Sequence, residues 1–280
     1  MGESVKNVEA VLDFICPKCG GALTVSGGSA ICGKGHSYDK SRHGYYNLLL
    51  TSVGGVHGDN KEMVLSRRAF LGSGHYAPLS SLVADLVSKY TYKCGIVLDA
   101  GCGEGYYTDE VEKSLFSRDF STRVMAFDIS KDAVRETLRK NPRIRAVVAG
   151  SYKMPIADGY VDTVINTFSP LAIDEVGRVL CQGGIFVMAI PDVDHLYELK
   201  ALIYDTPYKN NPHNTEIDGF ELIEDRRLSY VMHLRDREIR DLFMMTPYAY
   251  RTSRAGAMRI DGLTQLDCTA DFHIFVYRKI

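Results

Sequence analysis

The chain has almost no net charge: 33 Lys and Arg stand against 35 Asp and Glu, leaving -2 over 280 residues. A protein so balanced does not hold nucleic acid through its overall field, so any contact with a polyanion must come from local patches. It lacks an apolar run long enough to cross a bilayer. Its first residues, MGESVKNVEAVLDFI, lack the basic-then-apolar order of a secretory leader, and Lys6 stands where a myristoylation signal needs Ser or Thr. A cytoplasmic protein without a membrane partner is expected. Repeats and low-complexity segments are also missing. What remains, 45% hydrophobic and 24% charged, is ordinary globular composition, long enough for one large domain with a small satellite.

Seven cysteines are present. Cys94, Cys102, Cys181 and Cys268 sit singly among apolar segments and read as small buried hydrophobes in a reducing compartment. The other three cluster with a histidine: Cys16 and Cys19, then a dozen residues, then Cys32 and His36. Two close pairs of soft or borderline ligands suit tetrahedral zinc, because each pair shares one turn and the loop lets the pairs face each other. Gly20, Gly33 and Gly35 would allow the tight backbone around the thiolates. Four protein ligands leave no open position, so the site reads as structural and as part of a recognition platform. His43 and His57 lack the spacing of a pair and read as surface residues.

From Phe14 to about Asn47 the chain is glycine-rich and too poor in apolar periodicity to bury its own core. TSVGGVHGDNKE follows and reads as a linker, which divides the chain into a zinc module, 1–50, and a larger domain, 51–280. There MVLSRRAFLGSG and PLSSLVADLVSKY carry helical spacing. Short apolar runs then alternate with helical stretches: IVLDA (96–100), VMAFDI (124–129), IRAVVAG (144–150), VDTVINTF (161–168) and GIFVMAIP (184–191). This rhythm predicts an α/β, Rossmann-like, mostly parallel sheet. After a helical DREIRDLFMM, the alternation in TQLDCTA and DFHIFVYRK predicts two adjacent strands, hence an antiparallel C-terminal pair.

IVLDA runs directly into GCGEGYYTDEVEK, which puts Asp99, Gly101, Gly103 and Gly105 at a strand-to-helix turn. The glycines let the chain pass close beneath a ligand. A dinucleotide fingerprint would read G-x-G-x-x-G; here the spacing is G-x-G-x-G, and Glu104 occupies the place of a pyrophosphate. An anion is disfavoured there, whereas S-adenosylmethionine carries an ammonium and a sulfonium. Asp128, at the end of the next strand, can accept both hydroxyls of a ribose, with Ser130 competing for the alternative job of helix cap. Gly150, Ser151 and Asp158 occupy loops that commonly frame adenine. All of these lie beyond residue 50, so the cofactor pocket is expected to belong to the larger domain alone.

CPxC…CxxxH, GYYNLL, RRAFLxxGHYxPL, LDxGCGEGYYT, HLxELKxLIY and MTP together resemble the bacterial 23S ribosomal RNA guanine-N1 methyltransferases over nearly the whole chain. The resemblance implies zinc on Cys16, Cys19, Cys32 and His36 and cofactor contacts from Tyr76, Gly103, Glu104 and His195. It also implies methylation of a guanine N1 in hairpin 35 of 23S rRNA, by a homodimer whose cleft grips RNA. On the residues alone, Tyr76 reads as core and His195 as a helix-start residue. The fourth strand ends in NTFSP rather than the Asn/Asp-Pro-Pro-Tyr of exocyclic amine methylases, which fits a ring nitrogen acceptor. Asp192, His195 and Asp174 are candidate bases, none assigned. Phe168, Tyr106 and Tyr107 are candidate platforms for a flipped base. Arg67, Arg68, Arg226, Arg227, Arg235, Arg237, Arg240, Arg251 and Arg254 are candidate phosphate contacts. Two other readings stand beside this one: a small-molecule methyltransferase of the same fold, and a non-enzymatic zinc RNA-binding protein.

Overall fold

A computed structural model describes residues 10–50 and 58–280. Residues 1–9, His57 and most of the stretch read as a linker, 51–57, lie outside the described residues. Among the described residues, no helix is long and apolar enough to cross a membrane.

The zinc module is a four-stranded antiparallel sheet in the order β1-β2-β3-β4: Ala10–Ile15, Ala22–Ser26, Ser29–Cys32 and Ser37–Asp39. It borrows its core, as a segment this small must. Phe14, Leu23, Ala30, Tyr46 and Leu48 are buried in one cluster with Phe127, Val147, Ala149, Met154 and Ile156 of the larger domain.

The larger domain opens with α1 (Lys61–Gly72) and α2 (Ala77–Tyr90). Asn60 caps α1 by accepting from the Met63 amide, and Pro78 stands in the first turn of α2. Next come β5 (Ile96–Ala100), α3 (Tyr106–Ser117), β6 (Arg123–Asp128), α4 (Lys131–Lys140), β7 (Arg145–Val148) and β8 (Val161–Thr167). The chain continues through α5 (Ile173–Val179), β9 (Leu180–Pro191), α6 (Tyr197–Ile203), β10 (Phe220–Arg235) and α7 (Arg237–Met245). Two short helices, α8 (Tyr248–Arg251) and α9 (Arg254–Met258), precede β11 (Gln265–Lys279).

The seven strands lie in the order β10-β11-β9-β8-β5-β6-β7. Every residue of β5 is buried, as a central parallel strand with both faces covered requires. From β5 the chain moves outward to β6 and β7, then returns to β8 on the other side. That reversal opens a crevice at the carboxyl ends of β5 and β8, where open α/β sheets bind ligands.

β11 is antiparallel to both of its neighbours, β9 and β10, and so runs against the rest of the sheet. Here the expectation needs correcting. TQLDCTA and DFHIFVYRK are one continuous strand, and the antiparallel partner is β10, earlier in the chain. β10 is an edge strand with a run of charged residues, Glu224 to Arg227, which protects the edge but interrupts its two-residue alternation. A second correction concerns Cys94, which is exposed in the turn before β5. Cys102 and Cys268 are buried as expected, and Cys181 is partly so.

Candidate functional site

Cys16, Cys19, Cys32 and His36 come together, with their ligand atoms all within 4.8 Å of one another. Two backbone knuckles place them. The Gly20 amide donates to the Cys16 carbonyl and the Gly35 amide to the Cys32 carbonyl, each at 2.8 Å. Gly20 and Gly35 have positive φ; Gly33 does not. Zinc-to-sulfur bonds of about 2.3 Å in a tetrahedron give sulfur pairs about 3.8 Å apart and sulfur-to-nitrogen pairs near 3.5 Å. Cys19 and Cys32 are 3.6 Å apart, and Nδ1 of His36 is 3.4 Å from Cys32 and 3.5 Å from Cys16. The donor set and its edges fit zinc, with Nδ1 as the histidine ligand. The Tyr38 hydroxyl lies 3.2 Å from Sγ of Cys16, placed to steady the thiolate.

The glycine turn after β5 lies between two cavities, and Gly101 lines both. With φ at 96°, Gly101 passes so near Ser169 that a Cβ would come 2.5 Å from its Oγ. A Cβ on Gly105, where φ is 80°, would come 2.9 Å from the Thr137 side chain. Neither position tolerates a side chain. The first cavity, about 350 Å³, is bordered by Asp128, Ile129, Ala149, Gly150 and Ser151. Asp128 accepts from the Gly103 amide at 2.9 Å and the Ser130 amide at 2.8 Å, so it braces the glycine turn while facing the cavity. Ser130 takes the cap of α4, accepting from the Ala133 amide. Burial raises the Asp128 carboxyl above its usual range.

The second, smaller cavity is lined by Tyr76, Asp99, Gly103, Glu104, Tyr107 and Arg67, among others. Five buried polar atoms here have no partner: Oδ1 of Asp99, Oε1 of Glu104, Nε of Arg67 and the hydroxyls of Tyr107 and Thr167. Two free carboxylate oxygens and one free guanidinium donor are what the ammonium and carboxylate of an amino acid require. Asp99 already accepts from Thr108 at 2.6 Å, and burial pushes it up to about 7. Lys140 holds the other oxygen of Glu104 at 2.5 Å.

Tyr76 lies over this cavity, packed against Phe70, Phe168 and Phe272. His195 stands behind it and contributes to neither cavity wall, so its reach toward a ligand runs through the Tyr76 hydroxyl. Burial, then the charge on Lys200, drives His195 down to about 3. Phe168 adopts a left-handed backbone, φ 58°, at the end of β8. Strain of that kind in a non-glycine residue is concentrated at functional sites.

Several placements depart from the sequence reading. Asp158 is exposed and bonded to Arg178, away from the slot that Gly150 and Ser151 border. Arg67, read as a phosphate contact, pairs with Asp59 at 2.5 Å and lines the smaller cavity instead. Its signal was the tandem Arg67-Arg68 at the polar margin of α1, where Arg68 turns to Glu136. The larger cavity is not built by one domain: Pro17, Leu48, Leu49 and Leu50 of the zinc module form part of its wall. Asp174 lies on α5 by a separate surface cavity. Asp192 is buried, with one oxygen on the Val193 amide and the other 3.8 Å from both Arg227 and His273.

A sheet of this order, with one reversed strand set among parallel ones and a two-part crevice at the switch point, defines the S-adenosylmethionine-dependent methyltransferase class. Residues 97–184 match the family described as "Methyltransferase domain", and residues 14–51 match the one described as "RlmA, N-terminal". The chain is 30% identical to "Putative 23S rRNA (guanine-N(1)-)-methyltransferase YxjB" of Bacillus subtilis, over 95% of its own length and 97% of that protein's. It is 34% identical to "23S rRNA (guanine(748)-N(1))-methyltransferase" of Streptomyces fradiae, over 66% of this chain and 65% of that one. The chain belongs to the bacterial 23S rRNA (guanine-N1)-methyltransferase family.

Proposed function

We propose that the chain transfers a methyl group from S-adenosylmethionine to N1 of a guanine in the hairpin 35 region of 23S rRNA. The observation that carries this reading is the two-part crevice at Gly101, in a chain similar over 95% of its length to a protein named as a putative 23S rRNA (guanine-N1)-methyltransferase. When bound, S-adenosylmethionine supplies a methyl group already activated by its positive sulfur. The protein's own work is therefore positioning and the exclusion of water.

Asp128 holds the ribose hydroxyls, and the apolar slot beyond it takes the adenine. Asp99 and Glu104 receive the ammonium, Arg67 the carboxylate, and Tyr76 closes over them. Gly101, Gly103 and Gly105 keep the turn bare enough for this approach. Phe168 and the half-buried Tyr106 flank the small cavity and offer faces for an unstacked guanine. The N1 proton must leave for the nitrogen to attack. His195 is not free to take it, since both ring nitrogens are engaged.

The zinc module, 1–50, serves RNA placement, with Lys18, Lys34, Lys40 and Arg42 exposed on it, while 51–280 carries the transfer. A homodimer gripping RNA in its cleft completes the reading, and sedimentation of the purified protein tests that part. The main test is mass mapping of 23S rRNA from cells with and without the protein. A lost guanine N1 methyl mark in hairpin 35 supports the proposal, and an unchanged map overturns it.

A further inference from the structure

The larger cavity has two sides of different origin. One is the carboxyl edge of the catalytic sheet. The other is Pro17 and Leu48 to Leu50, all from the zinc module. Pro17 is buried and directly follows the ligand Cys16. Leu48 donates its amide to the Val148 carbonyl at 2.8 Å, and the Val148 amide returns a bond to the Tyr46 carbonyl at 3.0 Å. Asn47 bridges Val148 in parallel, so 46–48 adds a rung to the outer edge of β7. A Cβ on Gly150 would sit 3.5 Å from Cδ1 of Leu49, which presses that leucine against the floor of the slot.

The module is anchored at its other end as well. Asp13, buried in β1, is paired with both Arg123 and Arg145 and accepts from the Tyr160 hydroxyl at 2.9 Å. The Ile15 amide donates to the Pro155 carbonyl at 2.8 Å. The module is seated against the sheet rather than hung from it.

From this seating we infer that the zinc module supplies one wall of the adenine slot, through Pro17 and Leu48 to Leu50, so that zinc and the cofactor bind with positive coupling. The inference rests on the cofactor reading above. A purine needs apolar faces on both sides and a polar edge at one end. The sheet edge offers one face with Asp128 at its end, and the leucines and Pro17 offer the other. A module with too little core to fold alone depends on its metal for structure. Without zinc, the knuckle carrying Pro17 relaxes and the slot loses a side. Linkage is reciprocal: a ligand that needs the wall must also raise the affinity for the metal that holds it.

The experiment uses the intact, zinc-loaded protein and S-adenosylhomocysteine as probe. Calorimetry measures its affinity, and equilibrium competition with a coloured chelator measures zinc affinity. Leu49→Ala is expected to keep one zinc per chain yet bind the probe roughly tenfold more weakly, as losing a few buried methylenes implies. Leu49→Met should recover most of that loss. Saturating S-adenosylhomocysteine or adenosine should raise zinc affinity several-fold in the wild type, and methionine, which would occupy only the smaller cavity, should not. If Leu49→Ala does not fold, Leu50→Ala carries the same expectation. Unchanged probe affinity in the variant, together with zinc affinity indifferent to adenosine, overturns the inference while leaving the cofactor reading intact. No binding of the probe by the wild type overturns both.

Discussion

The hydroxyl of Tyr76 lies 3.3 Å from Nε2 of His195, a residue 119 positions further along the chain. The Asp271 amide donates to Nδ1 of the same ring, so the ring proton of the neutral histidine sits on Nε2 and is given to the tyrosine oxygen. Tyr76 therefore keeps its own hydroxyl proton for the cavity it covers. Tyr76→Phe strands a buried imidazole N–H, and thermal or denaturant unfolding should show a loss of about 1–3 kcal/mol. Cofactor affinity should fall in the same variant. Unchanged stability would mean that the pair makes no net contribution.

His195 also predicts a pH dependence. Its folded pKa, about 3, lies below the ordinary 6.5, so the unfolded chain binds the extra proton first. The stability that neutral His195 contributes is complete above 6.5 and is lost as pH falls from 6.5 toward 3, by up to about 1.4 kcal/mol per pH unit. Urea titrations across that window should show wild type losing stability faster than His195→Gln. Parallel curves for the two proteins would remove the buried neutral histidine from the account.

Asp128 carries two backbone amides and faces the slot, so its replacement acts twice. Asp128→Ala should weaken S-adenosylmethionine binding by about 1.5–3 kcal/mol, the usual worth of hydrogen bonds to a charged group. Stability should fall as well, since the Gly103 and Ser130 amides lose their acceptor. Calorimetry that finds equal affinity in mutant and wild type would reduce Asp128 to a brace for the glycine turn.

Cys32→Ala removes the ligand that stands 3.6 Å from Cys19 and 3.4 Å from His36. Elemental analysis should find about one zinc per wild-type chain and almost none in the variant. Because Phe14, Tyr46 and Leu48 share a core with Phe127 and Val147, the melting temperature of the whole chain should drop. A metal-free wild type would end the zinc reading.

What the sequence disclosed and what it hid divide along a physical line. β5 falls on the predicted residues 96–100, and the zinc quartet follows from spacing alone, because an unbroken apolar run and two close ligand pairs are both patterns that stand in the linear sequence. Leu48 to Leu50 escaped notice as cavity residues because their partners, Val148 and Gly150, lie a hundred residues away. Arg67 looked like a surface cation because a helix shows only its periodicity, and nothing local marks which side chain turns inward. Asp158 was misplaced for the opposite reason: it neighbours the slot in sequence, but Arg178 holds it outward. β10 was missed because its charges protect an edge that the linear pattern does not reveal.

The reversed strand also sets an order of assembly. During synthesis, β5 to β9 can pair as soon as they are made, but β11 enters beside β9 only after β10 and the three helices that follow it have been completed. Until then the long flank of β9 is an open edge, rich in apolar residues and ready to pair with another chain. The sequence position of β11, at the end of the chain, thus leaves this apolar edge among the last of the sheet to be covered.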